Sequence, residues 1–154
     1  MLIDTIFKQG CEYIGWDFIE GEDHWNNVKA EENTPDNTHG EDDTDSPFDQ
    51  KKKYFFLLSK RRRKQKNEYG ATIKHIWTGE LVIVVRSNIT DPTFEYKLDY
   101  HINPLYDESD KMDDYIPDCE GWTVQRFDIV SEVSDIYDTN FDGIKIEFEI
   151  TQDV

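Results

Sequence analysis

The chain has 154 residues, of which 34 are acidic and 17 are basic, and its formal net charge is −17. This length suits one domain with its own core, and the aromatic fraction of 14% argues against wholesale disorder. The acidic balance argues against binding to DNA through most of the surface, because phosphates would be repelled.

The first apolar residues repeat with helical spacing. Leu2, Ile3, Ile6 and Phe7 follow the i, i+3, i+4 pattern of an amphipathic helix. Nearby glycines weaken a longer helix, so we predict a helix near residues 2–13 followed by a bend.

Residues 20–50 differ in composition from the rest of the chain. They hold eleven acidic residues and one lysine, together with two prolines and two glycines. This composition predicts an acidic, mostly irregular loop insertion within a single domain that spans residues 1–154. Trp25 and Phe48 are the expected anchors of the insertion.

Basic residues are concentrated in one short stretch of this acidic chain. Nine of the seventeen Lys and Arg residues lie between positions 51 and 66. They are Lys51, Lys52, Lys53, Lys60, Arg61, Arg62, Arg63, Lys64 and Lys66. An apolar run at 54–58 separates the two blocks, and we predict a strand there that leads into a basic loop at 60–67.

The next two apolar segments read as a β-hairpin. Ile73–Trp77 and Leu81–Val85 flank Thr78-Gly79, a pair that suits a turn. The second segment is apolar on both faces, so we expect it to be the central strand of the sheet.

Residues 91–104 fit two structures. Their strict alternation favours a strand, whereas Asp91-Pro92 resembles the start of a helix and Pro104 would end it. We favour the helix, and we expect residues 105–121 to be an acidic, turn-rich connection.

Two further strands are predicted at 122–137 and 143–150. The second alternates strictly, with Ile144, Ile146, Phe148 and Ile150 on one face. The elements together predict an α+β fold: an antiparallel or mixed β-sheet with one or two helices packed on one face, plus long charged loops.

A calcium-loop pattern runs from Asp138 to Glu149, with Asn140, Asp142 and Gly143 at the expected positions. The segment after it alternates as a strand where a calcium loop requires a helix. We therefore interpret the motif as a turn and predict no metal site.

Other catalytic or cofactor chemistry is not indicated. The four histidines form no ligand pairs, and His75 and His101 are expected at the surface or at a border. Cys11 and Cys119 are expected to be reduced thiols. No phosphate-binding loop or nucleophile motif is present, so we predict no catalytic residues, no cofactor and no enzymatic activity.

The basic cluster has three interpretations. It could be a solvated segment that protects a sheet edge, an arm that contacts DNA phosphates, or a docking surface for acidic segments of an adjacent copy. We favour docking, because opposite charges on two parts of one protomer suit a head-to-tail ring. The expected acidic docking residues are Glu41, Asp42, Asp43, Asp45, Asp107, Glu108, Asp110, Asp113 and Asp114.

The order of elements resembles the tail terminators and head–tail neck proteins of tailed bacteriophages. The corresponding stretches are residues 1–19, 73–86, 91–105 and 122–151, and the phrase from Ser131 through Ile146 is the most similar in texture. The resemblance implies a structural virion protein, assembled in the host cytoplasm, that forms a homo-oligomeric ring around the DNA exit channel. Its partners would be other neck, tail and portal proteins, with non-specific contact to passing DNA.

Two other functions remain open from the residues alone. The net charge and the carboxylate runs also suit an acidic DNA mimic that binds a host nucleic-acid protein, although a DNA mimic should not retain a basic cluster. The pattern at 138–149 would suit a calcium-binding module. No apolar run is long enough to cross a bilayer, so no membrane partner is expected.

Overall fold

The computed structural model describes residues 2–20, Phe48, and residues 52–86, 101–136 and 141–154. Their elements, in chain order, are α1 (Ile3–Ile14), β1 (Asp17–Glu20), β2 (Lys53–Lys66), β3 (Thr72–Arg86), α2 (Asn103–Asp118), β4 (Trp122–Ile136) and β5 (Phe141–Asp153). The strands form one mixed sheet in the order β1-β2-β3-β5-β4. β1 is parallel to β2, and the other neighbouring pairs are antiparallel. The predicted α+β class is confirmed.

Helix α1 confirms the helix predicted near residues 2–13. It buries Ile3, Ile6, Phe7 and Cys11 against the sheet. The helix ends at Gly15, whose φ of 98° lies in the left-handed region, and the Gly15 N–H donates to the Cys11 carbonyl. Glycine adopts this conformation without a steric penalty, which explains the bend that follows.

Helix α2 corrects two sequence-based expectations. Residues 105–121 were expected to be a connection, but most of them lie in this helix, which packs on the same sheet face as α1. Its buried residues are Leu105, Ser109, Met112 and Ile116, which follow helical spacing. Pro104 was expected to end a helix, yet it lies in the first turn of α2, where its missing N–H is not needed. Residues 91–100 lie outside the described part of the chain, so the choice between helix and strand there is not tested.

The hairpin predicted around Thr78-Gly79 is wrong. β3 continues through both residues and pairs with β2 on one side and β5 on the other. The turn that connects β2 to β3 lies instead at residues 67–71. Gly79 is required for close approach, since a Cβ there would overlap the carbonyl oxygen of Ser59 beside the β2 bulge.

The basic loop predicted at 60–67 is also wrong, because β2 runs without interruption to Lys66. Cross-strand pairing with β3 extends the strand beyond its apolar part. The charged side chains tolerate this pairing because residues 59–66 are exposed to solvent.

Residues Leu81–Val85 are confirmed as the central strand. Leu81, Ile83 and Val85 join the core beneath the helices, whereas Val82 and Val84 join a second apolar cluster on the opposite face. The predicted buried face of β5 is confirmed too, and its four members lie in the core beneath the helices: Ile144, Ile146, Phe148 and Ile150.

We predict that Gly79→Ala lowers the free energy of unfolding by about 2 kcal/mol, because the added methyl group forces β2 and β3 apart at the bulge. Chemical denaturation measures this loss. Thr78→Ala, at the neighbouring half-exposed position of the same strand, is the control and should change stability by less than about 1 kcal/mol. Equal effects of the two substitutions would contradict the close approach inferred at Gly79.

Candidate interaction surface

The outer side of β2 is only partly covered by β1. β1 pairs with Tyr54 to Leu57, and Glu20 is the last residue described in this part of the chain. Beyond that point no other described strand lies along β2, and the side chains of residues 59–66 are exposed. We call residues 59–66 the basic edge. No strand in the described ranges pairs with the outer side of this segment, and an uncovered side of this kind is where a further strand can add to a sheet.

Alternation along the strand places the cations of the basic edge on two faces. Lys60 and Arg62 lie on the helix side. There the Lys60 Nζ is 2.8 Å from a carboxylate oxygen of Asp4 in α1, and the Arg62 guanidinium lies 5.7 Å from the centre of the Trp77 ring. Arg61 pairs across the strands with Thr78 and points to the opposite face, as does Arg63.

The basic edge divides into cations with and without partners inside the chain. Arg61, Arg63, Lys64 and Lys66 form no ion pair with any residue in the described ranges. Their charges are therefore available to an external anion. This arrangement fits a docking role better than a structural one.

The first basic block, residues 51–53, differs from the basic edge because its described lysines have partners inside the chain. Lys53 is buried, and its Nζ donates a 2.8 Å hydrogen bond to the Phe48 carbonyl and lies 4.6 Å from the centre of the Phe48 ring. Phe48 itself packs against the main core, as expected for an anchor. Lys52 is exposed and lies 4.0 Å from Asp17. Lys51 lies outside the described residues.

The acidic docking residues that the structure describes lie on α2. Asp107, Asp110 and Asp114 are exposed and follow helical spacing, so they form one row along the helix. We call these three residues, together with half-buried Asp113, the acidic stripe. Burial, and then the charges of Asp114, Asp110 and Asp128, raise the pKa of Asp113, as expected where negative charge is concentrated. Glu41, Asp42, Asp43 and Asp45 lie outside the described residues.

Glu108 differs from its acidic neighbours because its carboxylate is engaged inside the chain. The Trp16 indole donates a 2.9 Å hydrogen bond to one oxygen, and the Lys111 Nζ lies 2.9 Å from the other. Burial by itself raises the pKa of Glu108. The hydrogen bonds from Trp16 and Lys111, with the charges of Lys111 and Lys53, outweigh burial and lower it. Glu108 therefore ties α2 to the segment between α1 and β1.

The basic edge and the acidic stripe lie at opposite sides of the sheet. β4 is the edge strand farthest from β2, and α2 packs mainly over β4, whereas α1 packs over β1 and β2. The strand register places the basic edge at the level of residues 122–128 of β4. β2 and β4 also run in opposite directions, because three antiparallel pairings separate them.

The sheet face opposite the helices is charged near the basic edge, but its charges are largely paired. Arg126 lies 2.7 Å from Glu147 and 2.9 Å from Asp128, and these carboxylates raise its pKa. Lys145 lies 3.1 Å from Glu80. Arg126, Glu147 and Glu80 line an open groove of about 370 Å³, and Arg61 lies in its wall as well.

Several residues of this surface were not found by sequence reasoning. Asp4, Trp16, Trp77 and Arg126 owe their roles to partners on other strands or helices. Only Trp77 had a usable signal, since large aromatic residues in strands commonly pack against long cross-strand side chains.

The geometry of β5 bears on the calcium pattern. Asp142 is buried in β5, and Glu149 lies seven residues further along the same strand, about 23 Å away at 3.3 Å per residue. One ion cannot bind both carboxylates. Among the described residues no group of His, Cys, Asp and Glu side chains could hold a metal ion.

The histidine and cysteine side chains can also be placed. His75 is half-buried in β3, but His101 is buried, which corrects the expected surface or border position. His101 comes just before α2. Both cysteines are free thiols, and burial, with the charges of Asp17 and Glu12, raises the pKa of Cys11 and disfavours its thiolate.

No helix within the described ranges combines the length and the apolar character needed to cross a membrane. Comparison of the chain with protein families, curated proteins and solved structures finds no match.

We predict that Glu108→Gln lowers the free energy of unfolding by about 1 kcal/mol at neutral pH, because the charged partner of Lys111 and Trp16 is lost. The pKa of Glu108 is lowered on folding, so its contribution is present above the unfolded-state pKa and is lost as the pH falls through the folded-state pKa. The difference between the two proteins should therefore shrink below about pH 4.

Urea denaturation of both proteins across this pH range measures the effect. Asp107→Asn, one position earlier on the exposed face of α2, is the matched control. A difference that persists unchanged at low pH would show that the charge of Glu108 does not stabilise the fold.

Proposed function

We propose that this chain is a non-enzymatic structural subunit that forms a ring in the neck or tail of a phage, in the manner of a tail terminator. The proposal rests above all on one observation: the basic edge and the acidic stripe lie at opposite sides of one sheet. A protomer with complementary opposite sides can bind a second copy head to tail, and a suitable rotation per step closes the ring.

Strand direction supports this mode of association. Copies placed side by side in the same orientation bring β4 of one copy next to β2 of the next, and these two strands run in opposite directions. The contact can therefore form antiparallel ladder hydrogen bonds that extend the sheet from one subunit to the next.

Charge supports the same pairing and selects against others. Arg61, Arg63 and Lys64 of one copy would face the β4 side of the next, where α2 carries the acidic stripe. Two basic edges would repel each other, and so would two acidic stripes, so the symmetric dimers are disfavoured. The rest of the acidic surface would repel DNA phosphates, as suits a channel through which DNA slides.

The proposal predicts a charge-swap result. Arg61→Glu with Arg63→Glu should weaken self-association at least about tenfold, because like charges then meet at the interface. Asp110→Lys with Asp114→Lys should do the same from the other side. A mixture of the two variants should recover association, since each altered side again meets an opposite charge. Sedimentation velocity and native mass spectrometry measure the assembly state, and electron microscopy shows whether the particles are closed rings.

Lys8→Glu with Glu12→Lys is the control pair, because both residues are exposed on α1 away from the proposed contact. This pair should leave association unchanged. The ring proposal is wrong if the wild-type protein stays monomeric at high concentration and in the presence of neck and tail proteins. The edge-to-stripe contact is wrong if the wild type assembles but the mixture of swapped variants does not.

A further inference from the structure

The turn between β2 and β3 presents an aromatic ring to solvent. The side chain of Tyr69 is 87% exposed. The backbone around it is nevertheless ordered by local hydrogen bonds. The Asn67 side-chain oxygen accepts from the N–H groups of Tyr69 and Ala71 at 2.9 and 3.1 Å, and the Asn67 N–H donates to the Ala71 carbonyl at 2.9 Å. The backbone that carries the Tyr69 side chain therefore has a defined conformation.

The hairpin around this ring is strongly basic. Residues 59–75 contain seven Lys and Arg residues and one Glu. The cations nearest to the turn are Arg63, Lys64, Lys66 and Lys74, and none of them forms an ion pair with a residue in the described ranges. An exposed ring and unpaired cations thus lie together at one end of the sheet.

We propose that this hairpin tip binds single-stranded nucleic acid. Tyr69 stacks on an unpaired base, while Lys64, Lys66 and Lys74 contact the flanking phosphates. Stacking platforms combined with a basic track are the usual means of holding single strands, because every base offers a π-face and every nucleotide a charge. A duplex would leave the ring without a stacking partner, since its bases are already paired and stacked.

This contact shares Lys64 with the contact proposed between subunits, but its other residues lie at the turn or beside it. The subunit contact depends on the outer backbone of β2 and on Arg61 and Arg63, whereas the nucleic-acid contact depends on Tyr69, Lys66 and Lys74. The nucleic-acid contact therefore does not depend on assembly of subunits into a ring, and a monomer should also bind the oligonucleotide.

Fluorescence anisotropy with a short labelled oligothymidylate at low salt tests the proposal. Tyr69→Ala should weaken binding about 5- to 150-fold, the range expected for loss of one stacked base, and Tyr69→Phe should retain binding. The control is Tyr13→Ala, which removes a ring that is 79% exposed on α1, and it should have no effect. Replacing Lys64, Lys66 and Lys74 with Gln should reduce the slope of log K against log salt by about 2.

Three results would overturn the proposal. The first is no measurable binding of the oligonucleotide to the wild-type protein. The second is binding that Tyr69→Ala leaves unchanged, or equal binding of a duplex of the same length, which would show attraction through charge alone. The third is binding to vesicles of anionic lipid without binding to the oligonucleotide. That result would assign the exposed Tyr69, with neighbouring Ile73 and Val154, to a membrane surface instead.

Discussion

The exposed part of the sheet depends on one constraint: the described part of β1 covers only four residues of β2. β1 pairs with four residues, Tyr54 to Leu57, and a bulge follows directly between Leu57 and Ser59. The side chains of residues 59–66 are exposed, and no described strand covers the outer side of this segment. An uncovered strand of this kind can pair with other chains indiscriminately unless charge prevents it. Lysine and arginine side chains along this segment would repel the same segment of another copy, which is why an acidic partner surface is proposed for it. The uncovered length of β2 and its positive charge together restrict which surfaces can pair with it.

The same sheet is divided into a buried part and a charged part. Near β1 the central strand is apolar on both faces, and the helices and a second apolar cluster enclose it. Towards the β2–β3 turn the faces carry ion pairs and unpaired cations. The Lys60–Asp4 ion pair connects the two parts, because it joins the charged segment of β2 to α1. Interactions between exposed charges are screened beyond about 10 Å at moderate ionic strength. The contacts proposed for the basic edge and the acidic stripe should therefore weaken as salt is added.

Local patterns in the sequence determined much of this architecture. Helical spacing predicted α1, the run Leu81–Val85 predicted the central strand, and strict alternation predicted β5 and its buried face. The concentration of positive charge between residues 51 and 66 was likewise evident from the sequence. These features depend on neighbours within one element, so a single sequence carries them. The choice between strand and loop for the basic residues 60–66 cannot be made from one element alone, because pairing with β3 decides it.

Tertiary structure decided what each charge does. The glycine at position 79 looked like a turn residue, but pairing with Lys60 of β2 and Phe148 of β5 places it inside a strand. Lys53, Lys60 and Glu108 belong to charged runs in the sequence, yet each has a partner inside the chain, whereas Arg61 and Arg63 do not face a described carboxylate. The placement of the basic edge and the acidic stripe at opposite sides of the sheet follows from strand order. Strand order is set by contacts between residues far apart along the chain, and no local pattern records those contacts.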